Sequence, residues 1–295
     1  MSRQENVKMR RERIVLVLFF LFFLVGLNQV AGSEENLNLP PESKQDQTSA
    51  INQKPEVDNL KQEEITSEEE YLELIRSSIE KYKEIYPLDP LFVLSLIKAE
   101  SNFGKYEISS SGAAGPAQLM PFTANELGMK VFFPYYYQIA LDERKMAVEY
   151  YRKAEEAAKR ISFKNTPEEN EKLSLQVKLY REIGSWHEDQ ANSLFWRYKE
   201  ELLSIVNGKT DEELMDIDQR FIIPLAIDVC VRILANNAKR LNGDEREIAS
   251  SYNAGLSAVI NAGGIPFINQ TVTFQNRVMR FYREYLSKEN LSLEK

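Results

Sequence analysis

The stretch that predicts the fold most directly is DPLFVLSLIKAESNFG, residues 89–104. Asp89 is a residue type favoured at helix N-caps, Pro90 suits the first helical position, and the apolar run behind them indicates a helix. We expect this helix to continue to about Phe103 and to stop at Gly104, because glycine is common just beyond a helix C-terminus. The stretch therefore predicts an α-helix with an apolar face.

Glu100 lies on that apolar face, one to two turns after Val93, Leu96 and Ile97. Burial and the negative end of the helix dipole both disfavour a charged carboxylate, so we expect the pKa of Glu100 to be raised. A carboxyl group that keeps its proton near neutral pH can protonate a glycosidic oxygen. From position alone, Glu100 is either a general acid or a buried glutamate paired with an arginine.

Helical signals continue on both sides of this stretch. Ser67 and Glu70 have the spacing of a capping box, which predicts a helix start. Further helical segments are predicted at about 123–127, within 221–254 and from about 271 to 286. Because no stretch alternates with period two over a sustained length, the fold is predicted to be all-α.

Composition excludes several classes of protein. The chain has 295 residues and a formal net charge of -8, which argues against a protein held to nucleic acid by phosphate contacts. Cys230 is the only cysteine and His187 the only histidine, so disulfides within the chain and multi-histidine metal sites are excluded. We expect carboxylates to carry the acid/base chemistry, and we expect no metal and no other cofactor. Cys230 itself is predicted to be a small buried side chain.

The first 32 residues have the pattern of an export segment. Basic residues up to Arg13 precede an apolar run at 14–27, and small residues follow at 30–32. We interpret this as a cleaved signal peptide, with an uncleaved membrane anchor as the alternative. The polar stretch 33–66 is predicted to be a disordered linker. The working compartment is then the periplasm or the extracytoplasmic face of the inner membrane, with membrane contact only through an uncleaved anchor.

Three segments together resemble a known family. Glu100-Ser101 stands where the soluble lytic transglycosylases, of the lysozyme-like superfamily, have their catalytic Glu-Ser pair. Residues 109–121, SSSGAAGPAQLMP, are similar to the second motif of that family, and residues 251–255, SYNAG, to the third. The resemblance implies a goose-type-lysozyme-like all-α catalytic domain. With Glu100 as the catalytic acid, it implies substrate contacts at Ser101, Ser109, Gly115, Gln118, Tyr252 and Asn253.

Each of these residue types suits a sugar cleft. Gly115 and its small neighbours allow the backbone to approach a ligand, and Gln118 offers an amide donor and acceptor for acetamido or hydroxyl groups. Tyr252 could hydrogen-bond near Glu100 or stack on a sugar, and Asn253 could brace the loop. The alternatives are an ordinary flexible loop for the glycines and core packing for Tyr252 and Asn253.

The chain departs from the family pattern in two places. Pro116 and Ala117 stand where the family usually has Leu-Met, which removes one expected sugar contact. Near the end of the chain, Thr271 and Arg277 weakly resemble a fourth motif of the family. In this chain Phe274 replaces the usual tyrosine of that motif and Gln270 replaces a glutamate. No catalytic role is assigned to this region.

Residues 131–220 separate the second motif from the third and are not explained by the resemblance. Their charged, periodic sequence predicts two to four amphipathic helices, with N-caps at Thr166 and Ser185 and a stop at Gly184. The aromatic run FFPYYY at 132–137 could form a sugar-stacking wall or a partner surface, but packing against the main domain is the favoured interpretation. The predicted parts are a first half of the lysozyme-like domain (67–130), a helical insertion with a possible protein partner (131–220), a second half (221–288) and a tail (289–295).

The resemblance also implies a reaction on the glycan strands of peptidoglycan. One glutamate protonates the glycosidic oxygen between N-acetylmuramic acid and N-acetylglucosamine, and the muramyl primary hydroxyl then attacks its own anomeric carbon, leaving a 1,6-anhydromuramyl end. No organic cofactor or metal takes part. Two alternatives stay open, a lysozyme-type hydrolase in which Glu100 activates water, and a weakly active or inactive peptidoglycan-binding assembly protein.

Overall fold

A computed structural model of the protein describes residues 67–293. Every regular element in this range is helical, and extended pairing is limited to the isolated bridges that join Ala114 to Ile108 and to Leu119. The predicted all-α fold is therefore confirmed. The α-helices are α1 (Glu68–Tyr82), α2 (Pro90–Ser101), α3 (Pro121–Glu126), α4 (Tyr135–Lys159), α5 (Pro167–Val206), α6 (Asp211–Ile217), α7 (Ile223–Arg240), α8 (Glu245–Ala254), α9 (Leu256–Ala262) and α10 (Asn269–Leu293), with a 3₁₀ turn at Gln219–Phe221 between α6 and α7.

The predicted helix starts are confirmed by their hydrogen bonds. Ser67 and Glu70 form a reciprocal capping box at α1, and the Asp89 carboxylate accepts a hydrogen bond from the Leu91 amide at 2.7 Å. The predicted end of α2 is wrong by a few residues. The helix ends at Ser101 because Asn102 turns into the left-handed region at φ 52°, a conformation that asparagine tolerates, so Gly104 is not the stop.

Helix α2 lies at the centre of the main hydrophobic core. Its residues 92–97 are all buried, so the helix is enclosed on nearly all sides rather than along one apolar stripe. It packs between α1 and α10, and α7 and α8 complete the same core. Cys230 is fully buried on α7, as predicted. The burial of α2 holds Glu100, in its last turn, in a fixed position.

The segment predicted to be an insertion, residues 131–220, contains a helical hairpin of α4 and α5. Helix α5 has 40 uninterrupted residues, so the predicted stop at Gly184 and N-cap at Ser185 are both wrong. A Cβ atom added to Gly184 would lie 2.9 Å from Cε1 of Tyr151, which shows that this glycine allows α4 to approach rather than ending α5. The predicted N-cap at Thr166 is confirmed by a capping box with Glu169.

The start of the hairpin packs on the rest of the domain through a second hydrophobic cluster. Tyr136 and Tyr137 at the start of α4 are buried in this cluster together with Phe195 and Tyr198 of α5 and Phe221. Most of the aromatic run therefore packs against the main domain, in agreement with the favoured interpretation. Only its members Phe133 and Tyr135 are exposed.

The last helix, α10, is longer than predicted. Helix α10 continues to Leu293, so the prediction of a helix end near 286 and a separate tail from 289 is wrong over the described residues. The predicted export segment and linker, residues 1–66, lie outside the described residues. Within the described range, no helix has the length and apolar character needed to span a membrane.

Candidate active site

A cleft of about 440 Å³ opens above the C-terminal end of α2. Four of the predicted site residues line it, although they come from three separate segments of the chain. The remaining wall is the first part of α10, a segment to which the sequence assigned no role. The lining residues are Glu100, Ser109, Gln118, Asn253, Asn269, Gln270, Thr273, Phe274 and Arg277.

Glu100 is the one acidic side chain among the described residues that line the cleft. Burial of its carboxyl group raises its pKa to about 8, and the positive charge of Arg277 acts in the opposite direction without cancelling the effect of burial. In the described part of the chain Glu100 forms no ion pair with Arg277 or with any other residue. The structure thus favours a protonated acid at neutral pH over a buried glutamate neutralised by an arginine.

Ser101 and Tyr252 lie behind the cleft instead of lining it. The Ser101 hydroxyl donates a hydrogen bond to the Pro116 carbonyl at 2.7 Å, and the Tyr252 hydroxyl donates one to the Ala117 carbonyl, also at 2.7 Å. Ala117 is fully buried, so its side chain packs in the core. These two hydroxyl groups therefore hold the chain after the glycine-rich stretch against α2 and α8.

The second-motif loop, residues 109–121, is closed by hydrogen bonds of its own. Gln118 has a left-handed backbone conformation, φ 46°, and its side-chain amide donates to the carbonyls of Glu107 and Gly115 at 3.0 and 2.9 Å. The Ser109 hydroxyl accepts from the Ala113 amide at 2.9 Å. The donor capacity of the Gln118 side chain is thus used within the loop, and its carbonyl oxygen is the atom left for a ligand.

Gly115 is required for a different reason from the one expected. Its φ is +76°, and an added Cβ atom would lie only 1.9 Å from the backbone oxygen of Arg220. The close approach that this glycine permits is therefore to the backbone of Arg220, rather than to a sugar.

Gly115→Ala is expected to destabilise the protein far more than Gly128→Ala. Both glycines have positive φ, but a Cβ atom at Gly128 would meet nothing within 4 Å. Left-handed strain alone costs about 1–2 kcal/mol at either position, and the clash at Gly115 should add about 1–3 kcal/mol. Urea unfolding of both variants measures the difference, and equal losses would show that the contact with Arg220 yields at little cost.

A buried ionic network links the second-motif loop to α5 and to the 3₁₀ turn at Gln219–Phe221. Arg220 and Asp218 are both 0% exposed, with Nη2 and Oδ2 2.7 Å apart. The Arg220 guanidinium also donates to the carbonyls of Gly112 and Leu119, at 2.8 and 3.1 Å, and to the Tyr198 hydroxyl at 2.7 Å. Sequence reasoning missed this network, because nothing in the spacing of Asp218 and Arg220 distinguishes them from an exposed pair.

The sequence also did not predict that α10 forms a wall of the cleft. The Thr271 hydroxyl donates to the Asn253 side-chain oxygen at 3.0 Å, so the third motif is tied to this helix. Phe274 is 3% exposed and supports the guanidinium of Arg277, which lies 5.6 Å from the ring centroid. The weak resemblance to a fourth motif was the signal for this wall, although the substitutions at Gln270 and Phe274 made the motif hard to recognise.

The described residues contain no group of three or more His, Cys, Asp or Glu side chains arranged to hold a metal ion. The lining residues of the cleft instead offer amides, hydroxyls, one carboxyl and one guanidinium. Such groups bind polar, hydroxyl-rich ligands through hydrogen bonds.

Comparison with protein families finds a similarity, and it covers the part of the chain that holds Glu100, Ser109 and Gln118. Residues 77–147, less than half of the chain, match the family model of the transglycosylase SLT domain. No solved structure gives a significant match. Domains of that family cleave glycosidic bonds in peptidoglycan, the polymer of the bacterial cell envelope, and their fold is all-α and lysozyme-like. Residues 77–147 are therefore similar to the transglycosylase SLT domain, which is consistent with a soluble lytic transglycosylase of the lysozyme-like superfamily.

Proposed function

We propose that the protein is a lytic transglycosylase in which Glu100 acts first as a general acid and then as a general base. The bond cleaved is the β-1,4 linkage between N-acetylmuramic acid and N-acetylglucosamine. The product is a 1,6-anhydromuramyl end, and the chain exerts this activity in the cell envelope.

Each step of the proposed reaction uses the Glu100 carboxyl group. Its proton passes to the glycosidic oxygen as the bond from that oxygen to the muramyl anomeric carbon breaks. The resulting carboxylate accepts the proton of the muramyl primary hydroxyl as that oxygen bonds to the anomeric carbon. Glu100 is then protonated again, so one residue completes the cycle. Because the nucleophile belongs to the substrate, proximity replaces an activated water.

The observation that carries the proposal is that Glu100, whose pKa is raised by burial, is the sole carboxyl group among the described residues that line the cleft. A hydrolase of the usual type needs two carboxyl groups that flank the scissile bond. Here the other lining groups are amides, hydroxyls, a phenyl ring and a guanidinium, and Glu100 has a pKa of about 8. This composition supports an intramolecular nucleophile more directly than an activated water.

The test is digestion of purified peptidoglycan by the full chain and by its Glu100→Gln variant, with mass spectrometry of the soluble products. We expect fragments that are lighter by one water than hydrolysis products, released only by the wild type. Hydrated ends would identify a lysozyme-type hydrolase. Binding to peptidoglycan without release would identify a binding or assembly protein, and equal release by both proteins would exclude Glu100 as the acid.

Activity should depend on pH through the ionisation of Glu100. Since the acid must be protonated, kcat/KM on soluble muroglycan fragments should be steady below about pH 7 and fall roughly tenfold per pH unit above about pH 8. The sign follows from burial, which favours the neutral carboxyl group. A basic limb centred near pH 5 would show that the carboxyl group is solvated in the working enzyme.

Export of the chain is part of the proposal. The basic and apolar pattern of residues 1–32 supports translocation, with residues 33–66 as a tether. Fractionation of cells that produce the full chain, with N-terminal sequencing of the recovered protein, distinguishes a cleaved signal peptide from an anchor. A protein partner for the insertion belongs to the same proposal, supported by the exposed side chains of Phe163 and Trp196 on the hairpin.

A further inference from the structure

Arg277 is the one positively charged side chain among the described residues that line the cleft. The proposed reaction does not use it. Its guanidinium forms no ion pair and donates no hydrogen bond within the described part of the chain; its contact is with the ring of Phe274, at 5.6 Å from the centroid. By contrast, Arg280, three residues further along α10, points to a partner on its own helix, Glu284, at 3.8 Å.

The position of Arg277 is unfavourable for the general acid. A positive charge beside Glu100 stabilises the carboxylate, and it lowers the pKa that burial has raised. A cleft that only needed a protonated acid would be better served by a neutral residue at this place. The guanidinium therefore needs a different explanation, and an anionic group on the ligand would neutralise it.

We propose that Arg277 is a carboxylate-binding residue, through which the cleft selects muramyl glycans over neutral glycans such as chitin. This inference rests on the proposed function, and it adds a substrate feature to it. The muramyl sugar carries a lactyl group whose carboxyl is free in peptide-free strands and is amide-linked in strands with stem peptides, where the peptide supplies other carboxylates. N-acetylglucosamine polymers carry none.

The geometry suits this task in two respects. The planar guanidinium can bind a carboxylate through two parallel hydrogen bonds, which a lysine cannot reproduce. Packing of the guanidinium on the nearly buried ring of Phe274 restricts the side chain before the ligand arrives, so less entropy is lost on binding. The charge also matters for approach, because the chain as a whole has a net charge of -8 and would otherwise repel an anionic polymer.

The test measures binding by isothermal titration calorimetry with the full chain carrying Glu100→Gln, which prevents cleavage during the measurement. This protein is compared with versions that also carry Arg277→Met, Arg277→Lys or Arg280→Met. The ligands are a chitin tetrasaccharide, a peptide-free muroglycan tetrasaccharide and the same muroglycan with stem peptides. Arg280→Met is the matched control, since it removes the same charge from the same helix outside the cleft.

We expect Arg277→Met to weaken binding of at least one muroglycan about 10-fold and to change chitin binding less than 2-fold. Arg277→Lys should recover part of the loss, and Arg280→Met should lose nothing. A loss on the peptide-free strand identifies the lactyl carboxylate as the bound group, whereas a loss confined to the peptide-bearing strand identifies a stem-peptide carboxylate.

Three results would overturn the assignment: unchanged muroglycan binding by Arg277→Met, an equal loss on chitin, or a shifted pH–rate profile with unchanged affinities. Cleavage is measured in parallel with Glu100 intact. If the wild type cleaves peptidoglycan but Arg277→Met keeps its muroglycan affinity, only this inference fails. If the affinity loss is selective but the wild type cleaves nothing, the proposed reaction fails and carboxylate recognition stands.

Discussion

Glu100→Gln is expected to reduce turnover of peptidoglycan by roughly 100- to 10,000-fold, the usual contribution of a general acid. Glutamine preserves the size of the side chain and its hydrogen-bonding ability, but it cannot deliver a proton. Glu126→Gln, at an exposed position on α3, is the matched control and should keep full activity. The rate of muropeptide release from purified peptidoglycan measures both variants, and substantial activity in Glu100→Gln would move the proton donor to another group.

The same substitution should stabilise the fold in a pH-dependent way. The pKa of Glu100 rises from an ordinary value of 4.5 in the unfolded chain to about 8 in the folded protein, so between these values the folded state retains a proton that the unfolded state has lost. Wild-type stability therefore falls as pH rises through this window, and the cost reaches at most about 4–5 kcal/mol. Glutamine does not titrate, so the variant escapes the cost.

Thermal unfolding of wild type and Glu100→Gln at several pH values checks this expectation. The stability advantage of the variant should be small near pH 4.5, grow with pH and level off above about pH 8. A difference that is constant across this range would mean that the carboxyl group ionises normally in the folded protein, and the acid assignment would lose its physical basis.

Arg220→Met is expected to destabilise the protein by about 3–5 kcal/mol, because it leaves the carboxylate of Asp218 buried without its partner. The carbonyls of Gly112 and Leu119 lose a donor at the same time. Activity of the remaining folded fraction should also fall, because these carbonyls belong to the loop that forms one side of the cleft. Urea unfolding gives the free energy, and peptidoglycan release at low temperature gives the activity.

Two comparisons make this prediction specific. Lys145→Met breaks an exposed pair with Asp142 and should cost less than about 1 kcal/mol. The double variant Asp218→Asn with Arg220→Met should cost less than the sum of the two single variants, since the uncompensated buried charge is then removed. If the two substitutions were simply additive, the buried pair would not be the source of the effect.

The parts of the fold that follow from local chemistry could be predicted from the sequence. Helix starts at Ser67, Asp89 and Thr166 depend on neighbours within three residues, so their signals are legible in one dimension. For Glu100, the apolar residues on its own helix indicated burial, although the burial itself comes from the elements packed around α2. Gly184 shows the limit of such reasoning, because a glycine that ends a helix and one that admits a neighbouring helix are identical in sequence.

The parts of the site that could not be predicted depend on distant segments. Arg220 reaches Gly112 across 108 positions, and no local pattern encodes that contact. Ser101 and Tyr252 were assigned to the cleft by resemblance, but the structure directs their hydroxyl groups to backbone carbonyls behind it. The role of Arg277 depends on α10 lying across the cleft, which only the packed structure reveals.

Among the described residues, the buried side chains of the helical hairpin that hydrogen-bond to the rest of the domain lie near its base. Tyr137 donates to the Ser111 carbonyl, and Tyr198 binds Phe132 and Arg220, all close to where the hairpin leaves and rejoins the domain. Further out, buried residues such as Ala154 on α4 and Leu173 on α5 lie outside the two hydrophobic clusters of the domain. The outer turns can therefore lengthen, shorten or change sequence by natural selection at little cost to the cleft, whereas the base must be inherited together with the loop that it supports.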